Sequence, residues 1–398
     1  MAQSQAKFTI DAGLQCDKST RDHTDGYGKR GDTSPRWCIR LAHQARLAKP
    51  RNYAYRVSSP RIPLWDNARF LAITLVVLGH ALTKTTAATE SAYVLYTVIY
   101  LFHIPLFVFL SGYFSSADAP TLKRLQSVLV DLLLPYLIFE TVWSFIQSVN
   151  AGEFLFNPLR ASWTLWFLLS LAAWRILLPY IALVPFPLVV STAIAVLSGY
   201  WSVDQTLSLS RTLAFLPFFV LGWRARNWGI GEWWLSRSES TTAWIRVGGA
   251  ATFAVILGAV ALNLERLRQV GFRKLLTADM SYVDAGFDQW FSGAGRFGVF
   301  VIATLMIVAF VVLTPRRNTW FTALGGATMT VYLLHSFVLA PLRATEILSG
   351  ALSWWHLVLV VLGSIGLTIA LAQPFVTRLF APLTRPTWVL PSTRAVQS

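Results

Sequence analysis

Apolar stretches long enough to cross a bilayer recur from Leu64 onward, and short polar segments separate them. A helix needs about 20 apolar residues to cross roughly 30 Å of hydrocarbon. The pattern predicts ten such helices, at 64–83, 92–114, 125–149, 163–183, 186–202, 208–223, 244–264, 295–314, 320–341 and 355–380. The fifth and sixth are short, and Pro185 and Pro187 could make one of them a broken or re-entrant segment. The predicted fold class is all-α, a polytopic integral membrane protein with about ten transmembrane helices.

The composition supports the same class. Of the 398 residues, 55% are hydrophobic and 13% are charged, whereas about a quarter of an ordinary soluble domain is charged. The mean hydropathy is +0.51. These values exclude a soluble enzyme, a disordered chain and a disulfide scaffold.

The charge distribution predicts the topology. The chain has 34 Lys and Arg against 19 Asp and Glu, and much of the excess precedes the first apolar stretch. Basic flanks stay on the cytoplasmic side, so both termini are predicted to be cytoplasmic in a multi-pass plasma-membrane protein. The predicted organisation is a basic, disordered tail over 1–62, a membrane domain over 63–381 and a C-terminal tail over 382–398.

The N-terminal tail shows no sign of a separate chemistry. It contains no apolar signal-peptide core and no nucleic-acid-binding module, so a nucleic-acid partner is not expected. Its two cysteines, Cys16 and Cys38, match no metal or redox spacing. They are predicted to be unpaired thiols in a reducing cytoplasm.

Ionisable groups inside the apolar stretches are the candidates for function, because burying them in a membrane is costly. Arg69 and His80 lie in the first stretch, eleven residues apart. That spacing places both on one helix face, about 16 Å apart along the axis, and Asp66 can pair with Arg69 one turn away. The two could line an internal path. Alternatively, Arg69 reaches the interface and His80 makes a hydrogen bond between helices.

Two further histidines lie in other stretches. Pro105 frees a backbone carbonyl near His103, which could act as its donor or take part in function. His335 lies one turn beyond Tyr332, and its simplest interpretation is a packing hydrogen bond to that tyrosine or its neighbours.

These residues belong to a series of motifs that runs from about 62 to 380. The motifs are Asp66-x-x-Arg69 with His80, Phe102-His103-Ile104-Pro105-Leu106-Phe107 followed by Leu110-Ser111-Gly112-Tyr113-Phe114, Arg124 with Leu134-Pro135-Tyr136, Trp163-Thr164-Leu165-Trp166-Phe167-Leu168, Phe215-Leu216-Pro217-Phe218-Phe219 with Gly222, and Tyr332-Leu333-Leu334-His335. In this order they resemble the acyltransferase 3 family of membrane O-acyltransferases, which includes fucose 4-O-acetylase-like proteins.

The resemblance implies transfer of an acyl group, usually acetyl, from cytoplasmic acyl-CoA to a hydroxyl of an envelope glycan or glycolipid. Acyl-CoA would be a co-substrate, and neither a permanently bound cofactor nor a metal is expected. The family's essential Arg and His map onto Arg69 and His80. The rival interpretation is a transporter or flippase whose path is lined by these two residues, which would move its substrate without turning over acyl-CoA.

The chemistry of the residues suits the implied reaction. Guanidinium and ammonium groups bind phosphates, so Arg69, Lys123 and Arg124 are predicted to hold coenzyme A. A neutral imidazole can take a proton from the acceptor hydroxyl, so His80 is the predicted base, with His103 as a further catalytic candidate. The predicted supporting residues are Asp66, Tyr113, Trp166 and His335. Direct transfer is preferred to an acyl-enzyme, because no cysteine lies in a span and Ser111 lies near a cytoplasmic end.

The long loop at 265–296 is the candidate acceptor site. It carries Tyr282, Asp284, Asp288 and Trp290, and aromatic faces beside carboxylates suit sugar rings and their hydroxyls. A loop that only packs over the helices would look similar. The identity of the acceptor stays open.

Overall fold

A computed structural model describes residues 61–87, 89–203, 205–345 and 354–389. In these residues the chain is helical, without a strand, and seven helices are long and apolar enough to cross a membrane. The structure confirms the all-α polytopic class but does not establish ten crossings. Residues 1–60, with the predicted tail and its two cysteines, and residues 390–398 lie outside the described residues.

The main helices follow the predicted stretches in order. They are α1 (Pro63–Leu82), α2 (Glu90–Tyr113), α3 (Leu122–Ala151), α4 (Trp166–Ile181), α5 (Pro187–Leu197), α6 (Leu209–Asn227), α7 (Glu239–Leu262), α8 (Ser292–Leu313), α9 (Thr328–Ala344), α10 (Trp354–Leu371) and α11 (Pro374–Thr384). Short helices lie between them at Ile230–Leu235, Leu264–Gln269, Phe272–Thr277 and Tyr282–Ala285, with 3₁₀ turns at Thr85–Ala87, Ser198–Tyr200, Thr206–Ser208, Thr322–Ala327 and Thr387–Val389.

Local sequence signals explain where the helices begin. Pro63 occupies the first turn of α1, where its missing N–H is not needed. The side chain of Thr89 accepts from the Ala92 N–H at 3.2 Å and starts α2. Ser238 accepts from the Thr241 N–H at 3.3 Å and starts α7.

Four predicted spans differ from the structure. The helices of the spans predicted at 64–83 and 163–183, α1 and α4, are not among the seven that are long and apolar enough to cross a membrane. The span predicted at 355–380 is broken, because α10 ends at Leu371 and α11 starts at Pro374. Gln373 is extended between them, as the residue before a proline prefers. The span predicted at 186–202 contains α5, whose 11 residues rise only about 16 Å. By length alone α5 cannot cross the hydrocarbon core.

Helix α3 contains a π-turn at Leu129–Leu133. Pro135 has no N–H to close an ordinary turn, and the N–H of Leu134 instead reaches back five residues to the carbonyl of Leu129. Such turns insert one extra residue into a helix. The π-turn therefore resets which residues of α3 face the other helices on either side of it.

The helix ends define two faces. The proximal face is where α1 begins. There the buried Asn67 donates to the carbonyls of Pro315 and Arg317, both at 2.9 Å. The distal face is where α1 ends. There Arg273 donates to Thr86 Oγ1 at 2.8 Å, which ties the loop after α7 to the loop after α1.

The centre of the bundle is the pair α2 and α6. In the most apolar window of α2, 67% of the residues are buried, against 11% in α7 and in α10, so α7 and α10 lie at the periphery. Gly112 and Gly222 permit the close approach of α2 and α6. A Cβ at Gly112 would collide with the backbone of Phe219, and one at Gly222 with the backbone of Phe109. Small residues at such crossings are how membrane helices pack tightly.

Replacing Gly112 with alanine should destabilise the bundle by about 1–3 kcal/mol, because the added methyl forces two backbones apart. Gly258→Ala in α7 is the matched control, because nothing lies within 4 Å of the added Cβ. We expect the control to keep the melting midpoint of the purified protein and Gly112→Ala to lower it. Equal midpoints would show that the α2–α6 contact is not tight.

Candidate active site

Three histidines from three helices meet in the distal half of the bundle. His80 lies in the last turn of α1, His103 in the middle of α2 and His335 in α9. The Nδ1 of His80 lies 2.9 Å from the Nε2 of His335, and the two rings stack with centroids 5.1 Å apart. The ring of His103 lies edge-on to His80 at 6.3 Å. His103 and His335 are fully buried, whereas His80 is partly exposed.

The hydrogen bonds assign the ring protons of the neutral histidines. The carbonyl of Val331 can only accept, so the Nδ1 of His335, 3.1 Å away, carries a proton. The Nε2 of His335 is then an acceptor, and the Nδ1–H of His80 donates to it. The Nε2 of His80 keeps its lone pair. By the same reasoning His103 donates from Nδ1 to the carbonyl of Ile99 at 2.9 Å and keeps its own lone pair on Nε2.

The Nε2 of His103 is buried and has no partner in the described part of the chain. Gly79 leaves space beside it, because a Cβ at that position would lie 3.5 Å from this nitrogen. Tyr100 covers the same ring at 4.6 Å, and its hydroxyl lies 3.4 Å from Thr83 Oγ1. The carbonyl that His103 uses is that of Ile99, not the one freed by Pro105. The cluster therefore presents two acceptor nitrogens beside an aromatic wall.

Four of the six ring nitrogens of the cluster already make hydrogen bonds. His80 and His335 bond to each other through one nitrogen each, and the Nδ1 atoms of His103 and His335 donate to carbonyls. Among the described residues, no group of three or more His, Cys, Asp or Glu is placed to hold a metal ion.

Arg69 lies at the proximal end of α1, away from the histidines. Its Nη1 donates to Asp66 Oδ1 at 3.1 Å, and its side chain is 33% exposed. The guanidinium lies over the ring of Phe114 at 3.9 Å. Trp65 packs edge-on to Phe114 and lies 4.2 Å from Tyr113. The structure thus joins three predicted residues, Asp66, Arg69 and Tyr113, in one aromatic and charged cluster.

Lys123 and Arg124 lie near the start of α3 on the same proximal face. Lys123 is exposed, and Arg124 donates from Nη1 to the carbonyl of Asp118 at 2.5 Å. Within the described residues, neither side chain forms a hydrogen bond with Arg69, which pairs with Asp66. The three predicted phosphate-binding residues therefore share a face, without forming one preassembled cluster.

The face of α1 between Arg69 and His80 is closed. Ile73 and Val76 occupy it at helical spacing, and each is 1% exposed. The predicted common path from Arg69 to His80 is therefore filled by apolar side chains in this conformation.

Trp166 lies at the distal start of α4, apart from Tyr113. Its ring stacks on Phe215 at 5.6 Å, and the guanidinium of Arg211 lies 5.2 Å from it. Arg211 forms an ion pair with Asp279 at 2.8 Å, and both line a small polar cleft. Trp166 therefore lies buried on the distal side of the bundle.

The four predicted acceptor residues are divided by the fold. Asp284, Asp288 and Trp290 are exposed on the distal face, where Asp284 accepts from Ser281 Oγ at 2.6 Å and helps to start a short helix. Tyr282 is only 1% exposed and points into the bundle. The structure therefore leaves three of the four at the surface and buries the fourth.

Sequence reasoning missed Tyr100 and two arginines inside spans. Arg175 lies within α4, and Arg296 is buried in the second turn of α8. The signal was present for Arg175, a single cation in the apolar run from Trp166 to Ile181. Arg296 lies at the end of an apolar stretch, where arginines commonly reach the interface, so its burial is visible only in the packed structure.

Comparison with known proteins supplies the family. Residues 62–373 match the family described as Acyltransferase domain. Nodulation protein NolL of Mesorhizobium japonicum is 36% identical over 92 residues, which are 21% of this chain and 25% of that protein. The match thus spans about a quarter of that relative's length. No solved structure matches the chain.

The hydrogen bond between His80 and His335 predicts a measurable tautomer. Solid-state ¹⁵N NMR of histidine-labelled protein should show His80 protonated at Nδ1. His335→Phe removes the acceptor, so His80 should lose this preference. His356→Phe is the control, because His356 lies in the peripheral helix α10 against Trp355. Protonation of His80 at Nε2 in the unsubstituted protein would contradict the assignment.

Proposed function

This chain belongs to the acyltransferase family, whose domain covers residues 62–373, and we propose that it moves an acyl group, in the simplest case acetyl, from acyl-CoA to a hydroxyl of an extracytoplasmic or lipid-linked glycan. The observation that carries the proposal is the 2.9 Å contact between His80 Nδ1 and His335 Nε2. Because the Nδ1 of His80 carries the proton in this contact, its Nε2 keeps a lone pair and can act as a base.

The proposed reaction is a direct transfer. The acceptor hydroxyl gives its proton to the Nε2 of His80 while its oxygen attacks the thioester carbonyl carbon. The carbon–sulfur bond breaks, and the coenzyme A thiolate takes the proton back from the imidazolium. His335 accepts from the Nδ1–H of His80 throughout, which orients the ring and stabilises its charged form. General-base help of this kind contributes about 10²- to 10⁴-fold to a rate.

His103 supports the same step. Its unpartnered Nε2 can accept a hydrogen bond from a polyol acceptor, and an unpaired buried acceptor gains most from such a bond. Tyr100, stacked on this ring, offers a sugar an aromatic face. His103 is proposed to orient the acceptor, whereas His80 takes the proton.

The donor is proposed to bind at the proximal face, which we take as cytoplasmic. Arg69 is partly exposed there, and Arg61 is close enough to act on it electrostatically. Two neighbouring cations suit the phosphates of coenzyme A, and Lys123 and Arg124 add positive charge to the same face. Since Ile73 and Val76 fill the α1 face, the pantetheine arm has to displace them or pass beside them to bring its thioester to His80.

His80→Ala should lower acyl transfer by about 10²- to 10⁴-fold, because the base is lost. The measurement is transfer of label from acetyl-CoA to an envelope extract by the purified full chain. Acetyl-CoA affinity should hardly change, because His80 lies far from the proximal arginines. His356→Ala is the matched control and should keep its activity.

Equal labelling by His80→Ala and the unsubstituted protein would exclude this mechanism. Uptake of a substrate into vesicles without consumption of acetyl-CoA would instead favour the transporter.

Arg69→Ala should weaken acetyl-CoA binding by about tenfold or more, because a charge-assisted hydrogen bond contributes about 1.5–3 kcal/mol. The measurement is the dissociation constant of acetyl-CoA, obtained by calorimetry. Arg237→Ala is the control, a proximal arginine whose guanidinium packs on Trp233 at 4.8 Å. Unchanged affinity in Arg69→Ala would remove Arg69 from the donor site.

A further inference from the structure

A buried arginine on the distal side forms no ion pair with any of the described residues. Arg296 is 9% exposed and lies four residues after the start of α8, about 6 Å from the end of the helix. Its Nη1 donates to the carbonyl of Ala195 at 3.2 Å, and its guanidinium lies over the ring of Tyr282 at 4.7 Å. Its Nε has no partner among the described residues.

The neighbouring groups do not neutralise this charge. None of the ion pairs in the described part of the chain includes Arg296. Burial raises the pKa of Tyr282 to about 12, so its phenol stays uncharged. A buried cation without an anion is costly and, at membrane depth, marks a functional site by default. Within the described residues, the guanidinium therefore remains open to an anion supplied by a ligand.

Arg296 borders an apolar cleft between α2, α5, α6 and α8. The cleft is lined by Tyr100, Pro105, Phe215, Phe218 and Phe300, among others, and encloses about 30 Å³, room for about two water molecules. A larger ligand therefore has to lie along its open side or enter as the lining side chains move. A single cation at the edge of an apolar wall fits a ligand with one charged end and one hydrocarbon end.

We infer that this cleft binds a lipid phosphate, with the phosphate on Arg296 and the start of the hydrocarbon chain against the aromatic wall. The guanidinium fork suits phosphate oxygens. Arg296 lies about 6 Å from the distal end of α8, and long basic side chains near helix ends can reach the level of the lipid head groups. The ligand thus has the chemistry of a lipid carrier.

The cleft shares Tyr100 with the histidine cluster, since this residue lines the cleft and stacks on His103 at 4.6 Å. If Arg296 binds the phosphate of a lipid-linked sugar, only the ring of Tyr100 would separate the first sugar from the imidazoles. Its identity as the acyl acceptor rests on the proposed function, whereas the binding of a lipid phosphate does not. The site therefore narrows the acceptor class to glycans still attached to a phosphorylated lipid.

The test compares three probes on the purified full chain in nanodiscs of zwitterionic lipid: dodecyl phosphate, dodecanol and inorganic phosphate. Dodecyl phosphate should bind, and Arg296→Gln should weaken it by at least about tenfold. Dodecanol should bind more weakly and should not respond to the substitution. Inorganic phosphate at the same concentration should not displace dodecyl phosphate.

Two further variants keep the test decisive. Arg273→Gln removes a distal arginine outside the cleft, one that donates to Thr86, and should leave the affinity unchanged. Arg296→Lys keeps the charge and loses the fork, so it should be severalfold weaker even if Arg296→Gln fails to fold. Unchanged affinity in the Arg296 variants that fold, or displacement by inorganic phosphate, would overturn the lipid-phosphate site.

The transfer mechanism can fail independently. His80→Ala should keep its affinity for dodecyl phosphate. If the chain transfers no acetyl group but dodecyl phosphate binding still depends on Arg296, the lipid-phosphate site is supported and the proposed acyl transfer is rejected.

Discussion

The membrane interior offers no water, so each buried polar group has to find its partner inside the protein. Most of this chain obeys that constraint closely. The side-chain amide of Asn67 donates hydrogen bonds to the carbonyls of Pro315 and Arg317. Its oxygen accepts from the hydroxyls of Thr319 and Thr322. Glu140, almost fully buried, accepts from both the N–H and the hydroxyl of Ser162. These bonds hold the loops against the helices and define the two faces of the bundle.

The same constraint gives meaning to the few buried atoms that have no partner. The Nε2 of His103 and the Nε of Arg296 are among them in the described residues, and each lies where a ligand would complete it. The others include the indole N–H groups of Trp143 and Trp234, for which no ligand chemistry suggests itself. An unpaired atom indicates function only where neighbouring groups form a site, as Tyr100 and the apolar cleft do.

The positions of most helices could be predicted because the length of each apolar stretch can be counted in the sequence. The ionisable residues inside these stretches included all three histidines of the cluster. The sequence could place Arg69 and His80 on one face because that angle depends on a single helix. It could not show that His80 contacts His335, 255 residues later, since packing between helices is not periodic in the chain. Nor could it separate Tyr282, which is buried, from Trp290, which is exposed, because both lie in a loop of similar composition.

In the proposed reaction, the position of the histidines follows from where each substrate can reach. The proposed donor, coenzyme A, is a polyanion that would bind the proximal cations, whereas the proposed lipid phosphate would reach Arg296 from the distal side. Neither charged group can cross the apolar middle, so only the thioester end of one and the sugar hydroxyl of the other can meet between them. His80 lies in the last turn of α1, on the distal side of Ile73 and Val76. The proposed donor would therefore have to extend further into the bundle than the proposed acceptor, and the closed face of α1 is the barrier that it would have to pass.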